Sequence, residues 1–101
     1  EQGSRLFVLI GAGTFSSAVM NAEDLREIGA TLVGETTGGT IGFGELNAVS
    51  LKDMLYVIYS TKDFANSAPH KPVEPDILIP QTLSDFEKGV DTAVQAVLEI
   101  E

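Results

Sequence analysis

The strand, helix, strand order in the first third of the chain constrains its fold most. Leu6-Phe7-Val8-Leu9-Ile10 is an unbroken apolar run that ends in Gly11-Ala12-Gly13. A run of that length reads as a strand buried on both faces, the usual setting of a parallel sheet. The spacing predicts a helix from about Ser16 to Ile28. Ala18, Ala22 and Leu25 recur there at i, i+4 and i+7, with Glu23, Asp24, Arg26 and Glu27 largely on the other side. Gly29 suits the helix C-terminus. Thr31-Leu32-Val33-Gly34-Glu35 then reads as a second strand. Two strands joined through a helix predict a right-handed parallel crossover.

Residues 36–45 carry four glycines, so this stretch reads as a loop whose backbone adopts shapes that side chains forbid. Asn47–Leu51 and Met54–Thr61 read as two strands joined by a turn at Lys52-Asp53, a hairpin pattern. The Pro-containing stretch from Asp63 to Pro75 reads as loop. Asp76-Ile77-Leu78-Ile79 reads as a short strand closed by Pro80. Ser84-Asp85-Phe86-Glu87 has the capping-box pattern and predicts a short helical turn that ends near Gly89. Asp91 is placed to cap a last helix carrying Val94, Val97 and Leu98 on one face.

Composition removes several function classes. The 101 residues carry a net charge of -9 with only six basic residues, too few and too scattered to neutralise a phosphate backbone, so nucleic acid is not an expected partner. The chain has no cysteine, which removes disulfides, thiolate metal sites and a cysteine nucleophile. No His/Asp/Glu spacing suggests a metal site, and no cofactor is expected. No apolar run reaches transmembrane length. An apolar content of 44% suits one globular domain, and the opening Glu1-Gln2-Gly3-Ser4 reads as a cut end.

Three places carry residues suited to chemistry. In Gly13-Thr14-Phe15-Ser16-Ser17-Ala18 an apolar strand leads through small and hydroxyl residues into a helix. A serine at a helix N-terminus lies where free N–H groups and the helix dipole stabilise negative charge, which suits a nucleophile. The plainer reading, favoured by local chemistry alone, is an N-cap. The glycine-rich loop is not a P-loop, because no Gly-Lys-Ser/Thr follows. It reads equally as a connection between strands or as a surface that pairs with an extended peptide. His70 is the one histidine, and it reads as a solvated loop residue. Glu74 and Asp76, on either side of Pro75, read as a turn and a strand start.

The run LFVLIGAGTFSSAVMNAEDLREIGATLVGETTGG resembles the active-site segment of peptidase family S41, the C-terminal-processing or tail-specific proteases. In that family a buried strand precedes a T-x-S motif and a helix, and a strand ending in Val-Gly-Glu follows. LYVIYSTKDFANS, VEPDILIP and KGVDTAVQAVLEI resemble later parts of the same core. The resemblance implies an α/β fold, a ClpP/crotonase-like spiral of β-β-α units, of which residues 1–101 would be the C-terminal part. It places the nucleophile at Ser16 and half of the oxyanion hole at the Ser17 N–H. The other half belongs to an upstream glycine segment. Gly38, Gly39 and Thr40 fall where the family's substrate-holding loop lies. The implied partner is a peptide or protein substrate, and the implied location is secreted or cell-envelope.

The chain departs from the family at one position. Typical members activate the serine with a lysine in the loop after Val-Gly-Glu, and the matching residue here is Thr40, which cannot act as a general base. Lys62 lies where the family often has a basic residue, and it is the best substitute among Lys52, Lys62, Lys71 and Lys88; a structural or surface role suits it better. Two readings follow. One is a serine peptidase that cuts extended peptides with Ser16. The other is an S41-like domain that grips a peptide or partner without catalysis. A third reading is purely structural: the piece self-assembles over the surface that its other half would cover. As an isolated fragment the chain is expected to be inactive and to form a homo-oligomer over exposed apolar surface.

Overall fold

The computed structural model describes residues 4–40, 42–64 and 71–100. Its elements run in the order β1 (Phe7–Ile10), α1 (Ser17–Glu27), β2 (Thr31–Gly34), β3 (Phe43–Lys52), β4 (Leu55–Asp63), β5 (Ile77–Leu78), α2 (Leu83–Glu87) and α3 (Thr92–Leu98). β1 and β2 pair in parallel from Phe7 with Thr31 to Ile10 with Gly34, as the strand, helix, strand order predicts. β5 adds to the other edge of β2, also parallel, so the sheet order is β1-β2-β5.

That order decides which strand is buried. β2 lies in the middle, and Leu32 and Val33 are completely buried. β1 is an edge strand, and its Leu9 remains 45% exposed, so the expectation of burial on both faces fails for this strand. The core is Ile10, Val19, Ala22, Leu32 and Val73, with Val8, Met20 and Phe64 packed against it. α1 contributes Val19 and Ala22 to that core, whereas Ala18 is exposed. Ala22 is buried as the sequence pattern predicts, but Val19 takes the place expected of Ala18, because the helix docks through this branched side chain.

Both ends of α1 are set by backbone geometry. At the C-terminal end Gly29 has φ 100, its N–H donates to Arg26 O (2.9 Å), and the Ala30 N–H donates to Leu25 O (3.0 Å). This pair of bonds is a Schellman motif, and the left-handed residue it needs is most comfortably glycine. α2 ends in the same way, at Gly89 with φ 68. The N-cap of α2 is Thr82, whose hydroxyl accepts from the Asp85 N–H, in place of the expected Ser84. Asp91 caps α3 as predicted by accepting from the Val94 N–H (3.0 Å). α3 packs on β1 and β2, but Leu98 is 75% exposed and does not belong to the packed face.

β3 and β4 form the predicted antiparallel hairpin, with a longer first strand than expected. β3 begins at Phe43, so Gly44 and Glu45 belong to a strand and the glycine-rich loop is correspondingly shorter. The two-residue turn is Asp53-Met54, with φ 46 and 66. Two consecutive positive φ values describe a type I′ turn, whose twist matches that of the strands. The hairpin is exposed on both faces: Leu46, Leu51, Leu55, Tyr56 and Ile58 all face solvent. The accessible surface is 7457 Å² and the radius of gyration 17.3 Å. A compact domain of this length would show roughly 5,500 Å² and about 13 Å. This ribbon contributes to the excess, since it joins no other sheet among the described residues.

Candidate functional site

β1 delivers the chain to the site. After Ile10 the backbone turns through Gly11 to Thr14, closed by the Thr14 N–H donating to Gly11 O (2.8 Å). The Gly11 N–H donates in return to Thr14 Oγ1 (3.1 Å), so the threonine hydroxyl locks the turn from inside. Phe15 and Ser16 follow, and α1 begins at Ser17.

Ser16 has φ 56 and ψ -129, and its side chain makes no capping hydrogen bond. The cap bond that local chemistry favours is therefore not made. A non-glycine residue in this region of backbone space costs about 1–3 kcal/mol and persists only where its surroundings enforce it. The helix side supplies part of that enforcement. The Val19 N–H donates to Ser16 O (3.0 Å), and Val19 itself is completely buried. Ser16 and Ser17 are both exposed. The result is a solvent-facing hydroxyl on a strained strand-to-helix turn, next to the Ser17 N–H at the start of α1, while the Ala18 and Val19 N–H groups are taken up by Phe15 O (3.2 Å) and Ser16 O (3.0 Å). Such a turn is the geometry that presents a serine nucleophile in other folds.

The other side of the turn rests on residues 37–39. The Gly38 N–H donates to Thr14 O (3.1 Å). A Cβ on Gly38 would lie 1.8 Å from Ala12 O, and one on Gly39 would lie 2.6 Å from Phe15 Cβ. Gly38 meets the backbone of Ala12 and Gly39 meets the Phe15 Cβ, and neither position has room for a side chain. Gly38 and Gly39, read from sequence as candidates for holding substrate, thus have one side against the turn that carries Ser16. Thr40 comes next and is half-buried.

Thr37 is a residue that the sequence reading missed. It is 3% exposed, the one buried polar residue among the described residues. Its hydroxyl donates to Gly39 O (2.9 Å) and accepts from the Val73 N–H (2.9 Å). Its own N–H donates to Val73 O (3.0 Å). The available signal was a β-branched hydroxyl residue directly before a Gly-Gly pair, but the partner segment lies 36 positions away and is invisible to local pattern.

The remaining candidates take structural places. Lys62 pairs with Glu45 Oε1 at 3.2 Å and sits over the Phe64 ring at 5.2 Å. Asp76 accepts from the Leu32 N–H through Oδ2 (2.7 Å) and donates its own N–H to Leu32 O (2.8 Å), so it serves the strand start read from its sequence context. Its Oδ1 lies 3.4 Å from Arg26 of α1, which also bonds Glu23 and the Glu74 carbonyl. His70 lies outside the described residues. A cleft of about 270 Å³ opens at the carboxyl ends of the parallel strands, where Gly11, Thr14, Glu35, Gln81 and Asp91 are among its walls. Open α/β sheets bind their ligands at that end.

No family model matches the chain, and no curated protein does. Among solved structures it is similar to the crystal structure of a putative peptidase from Parabacteroides merdae ATCC 43184, with a TM-score of 0.66 at 23% sequence identity. The match covers 93% of this chain and 30% of the other. The two chains share a fold. The present chain accounts for less than a third of that protein's length, and the shared portion includes almost all of it.

Proposed function

We propose that this chain is the nucleophile-bearing part of a serine peptidase core of the S41 type, built on a ClpP/crotonase-like β-β-α spiral. The observation that carries the reading is Ser16: an exposed hydroxyl held at φ 56 on a strand-to-helix turn, without the cap bond that would give it a purely structural task. The strand, T-x-S, helix, Val-Gly-Glu order and the fold shared with part of a putative peptidase support the same reading.

In the proposed reaction Ser16 Oγ adds to the scissile carbonyl carbon while its proton passes to a general base. The carbonyl oxygen becomes an oxyanion beside the Ser17 N–H, where the N-terminal end of α1 stabilises it. Collapse breaks the C–N bond, the departing amine takes the proton from the base, and water then releases the acyl group from Ser16 by the reverse exchange. Gly38, Gly39 and Thr40 border the substrate. None of the described residues stands out as the base: Thr40 stands where family members carry lysine, and Lys62 is paired with Glu45.

Thr40 also favours a second reading, an S41-like domain that holds a peptide without cutting it. Intact-mass analysis of the full-length protein with a fluorophosphonate probe separates the two. The peptidase reading expects one adduct that disappears in Ser16→Ala. A folded protein that takes no adduct and leaves extended peptide substrates intact would refute it.

A further inference from the structure

We propose that Thr37 is a positioning residue that acts through its hydroxyl to hold the turn bearing Ser16 in its strained conformation. The inference rests on the reading of Ser16 as nucleophile for its catalytic meaning, but the mechanical linkage stands on geometry alone.

A residue at φ 56 relaxes unless it is held from both sides. The helix holds Ser16 from one side through Val19. On the other side residues 12–15 rest directly on Gly38 and Gly39, at distances that leave no space for a Cβ. The brace is only as firm as its own anchorage, and a Gly-Gly pair has the least intrinsic stiffness of any dipeptide. Thr37 supplies the stiffness. One hydroxyl fixes the Gly39 carbonyl with its proton and the Val73 N–H with its lone pair, while the Thr37 N–H fixes the Val73 carbonyl. The hydroxyl is buried, so no water replaces either bond when it is removed. The Val73 segment is itself anchored, because the neighbouring Glu74 carbonyl accepts from Arg26 of α1. The helix that starts at Ser17 and the loop that braces Ser16 are thereby closed into one ring of contacts, with Thr37 as the joint.

The test compares Thr37→Val, which keeps the shape and removes the hydroxyl, with Thr37→Ser, which keeps the hydroxyl. Both are made in the full-length protein, with folding checked by circular dichroism. Two readouts are taken: the rate of fluorophosphonate labelling at Ser16, and the backbone amide resonances of Ser16, Ser17, Gly38 and Gly39. A displacement of the order of an ångström at a reacting group costs up to roughly a hundredfold, so Thr37→Val should label at least about tenfold more slowly, whereas Thr37→Ser should label at nearly the original rate. The amide shifts in Thr37→Val should extend to Ser16 and Ser17. Wild-type labelling rates in a folded Thr37→Val, or amide shifts confined to residues 37–39 and 73, would overturn the proposal. Should Thr37→Val fail to fold, Thr37→Ala takes its place as the hydroxyl-free variant, and labelling of folded Thr37→Ala at the rate of Thr37→Ser would overturn the proposal. If the wild-type protein takes no label and leaves extended peptides intact, the nucleophile reading fails, and the spread of the amide shifts alone judges the linkage.

Discussion

Replacing Ser16 by alanine and by glycine separates a capping serine from a strained one, because a cap places the wild type above both variants and strain places it below the glycine variant. A capping serine loses its hydrogen bond in Ser16→Ala, at about 1 kcal/mol. The structure has no such bond to lose, and alanine suffers the same positive φ as serine, so Ser16→Ala should change stability by less than about 0.5 kcal/mol. Glycine relieves the strain, which is worth about 1–3 kcal/mol, and gives back about 0.4–1 kcal/mol through the greater freedom of the unfolded chain. Ser16→Gly should therefore be at least as stable as wild type, by a margin of up to about 2.6 kcal/mol. Urea titration followed by circular dichroism reads this directly. With a slope of about 1–3 kcal/mol per molar, each kcal/mol moves the midpoint by roughly 0.3–1 M. Both variants should lose probe labelling whatever their stability. A lowered midpoint in Ser16→Ala, or a glycine variant less stable than wild type, would refute the assignment of strain at this residue.

Further expectations follow from single contacts. Gly38→Ala places a Cβ 1.8 Å from a backbone oxygen, so it should cost about 3 kcal/mol or more by urea titration and should slow Ser16 labelling as well. Thr82→Ala should cost about 1 kcal/mol and lower the melting temperature by several degrees, whereas Ser84→Ala, outside the observed cap, should move it little. The Thr92 hydroxyl, and after it that of Thr82, hold the Asp85 carboxyl below its ordinary value. A carboxyl depressed in the folded state contributes stability that is complete above its unfolded pKa and is lost as pH falls through the folded one. Melting temperature should thus decline on acidification below about pH 4, and Asp85→Asn should flatten part of that decline.

Much of the sheet was legible because apolar runs report strands and their order reports parallel pairing. The positions of β1 and β2, the hairpin and the Asp91 cap all follow from local residues. What failed was whatever depended on a distant neighbour. β1 looks like the buried strand because it is the more apolar, yet β5, arriving more than 40 positions after β2, makes β2 the central one. The face of α1 is set by how Val19 meets the sheet, and a pattern built on Ala18 cannot know that. Ser16 was legible as a candidate through its setting, but side-chain chemistry pointed to a cap because φ is imposed by the turn and leaves no trace in the residue type. Thr37 stayed hidden for a related reason: its hydroxyl ties Gly39 to Val73, a residue 36 positions away.

The ribbon of β3 and β4 has a consequence for how this chain behaves over time. An isolated two-stranded hairpin is marginal in water, whereas the turn that carries Ser16 stands on the buried contacts of α1 and β2. Amide hydrogens along the ribbon should therefore exchange through frequent local opening, and those of β2 only through loss of the whole fold. The turn that carries Ser16 is mounted on the slow half of the molecule, and the fast half can rearrange or find a new neighbour while that turn keeps its geometry.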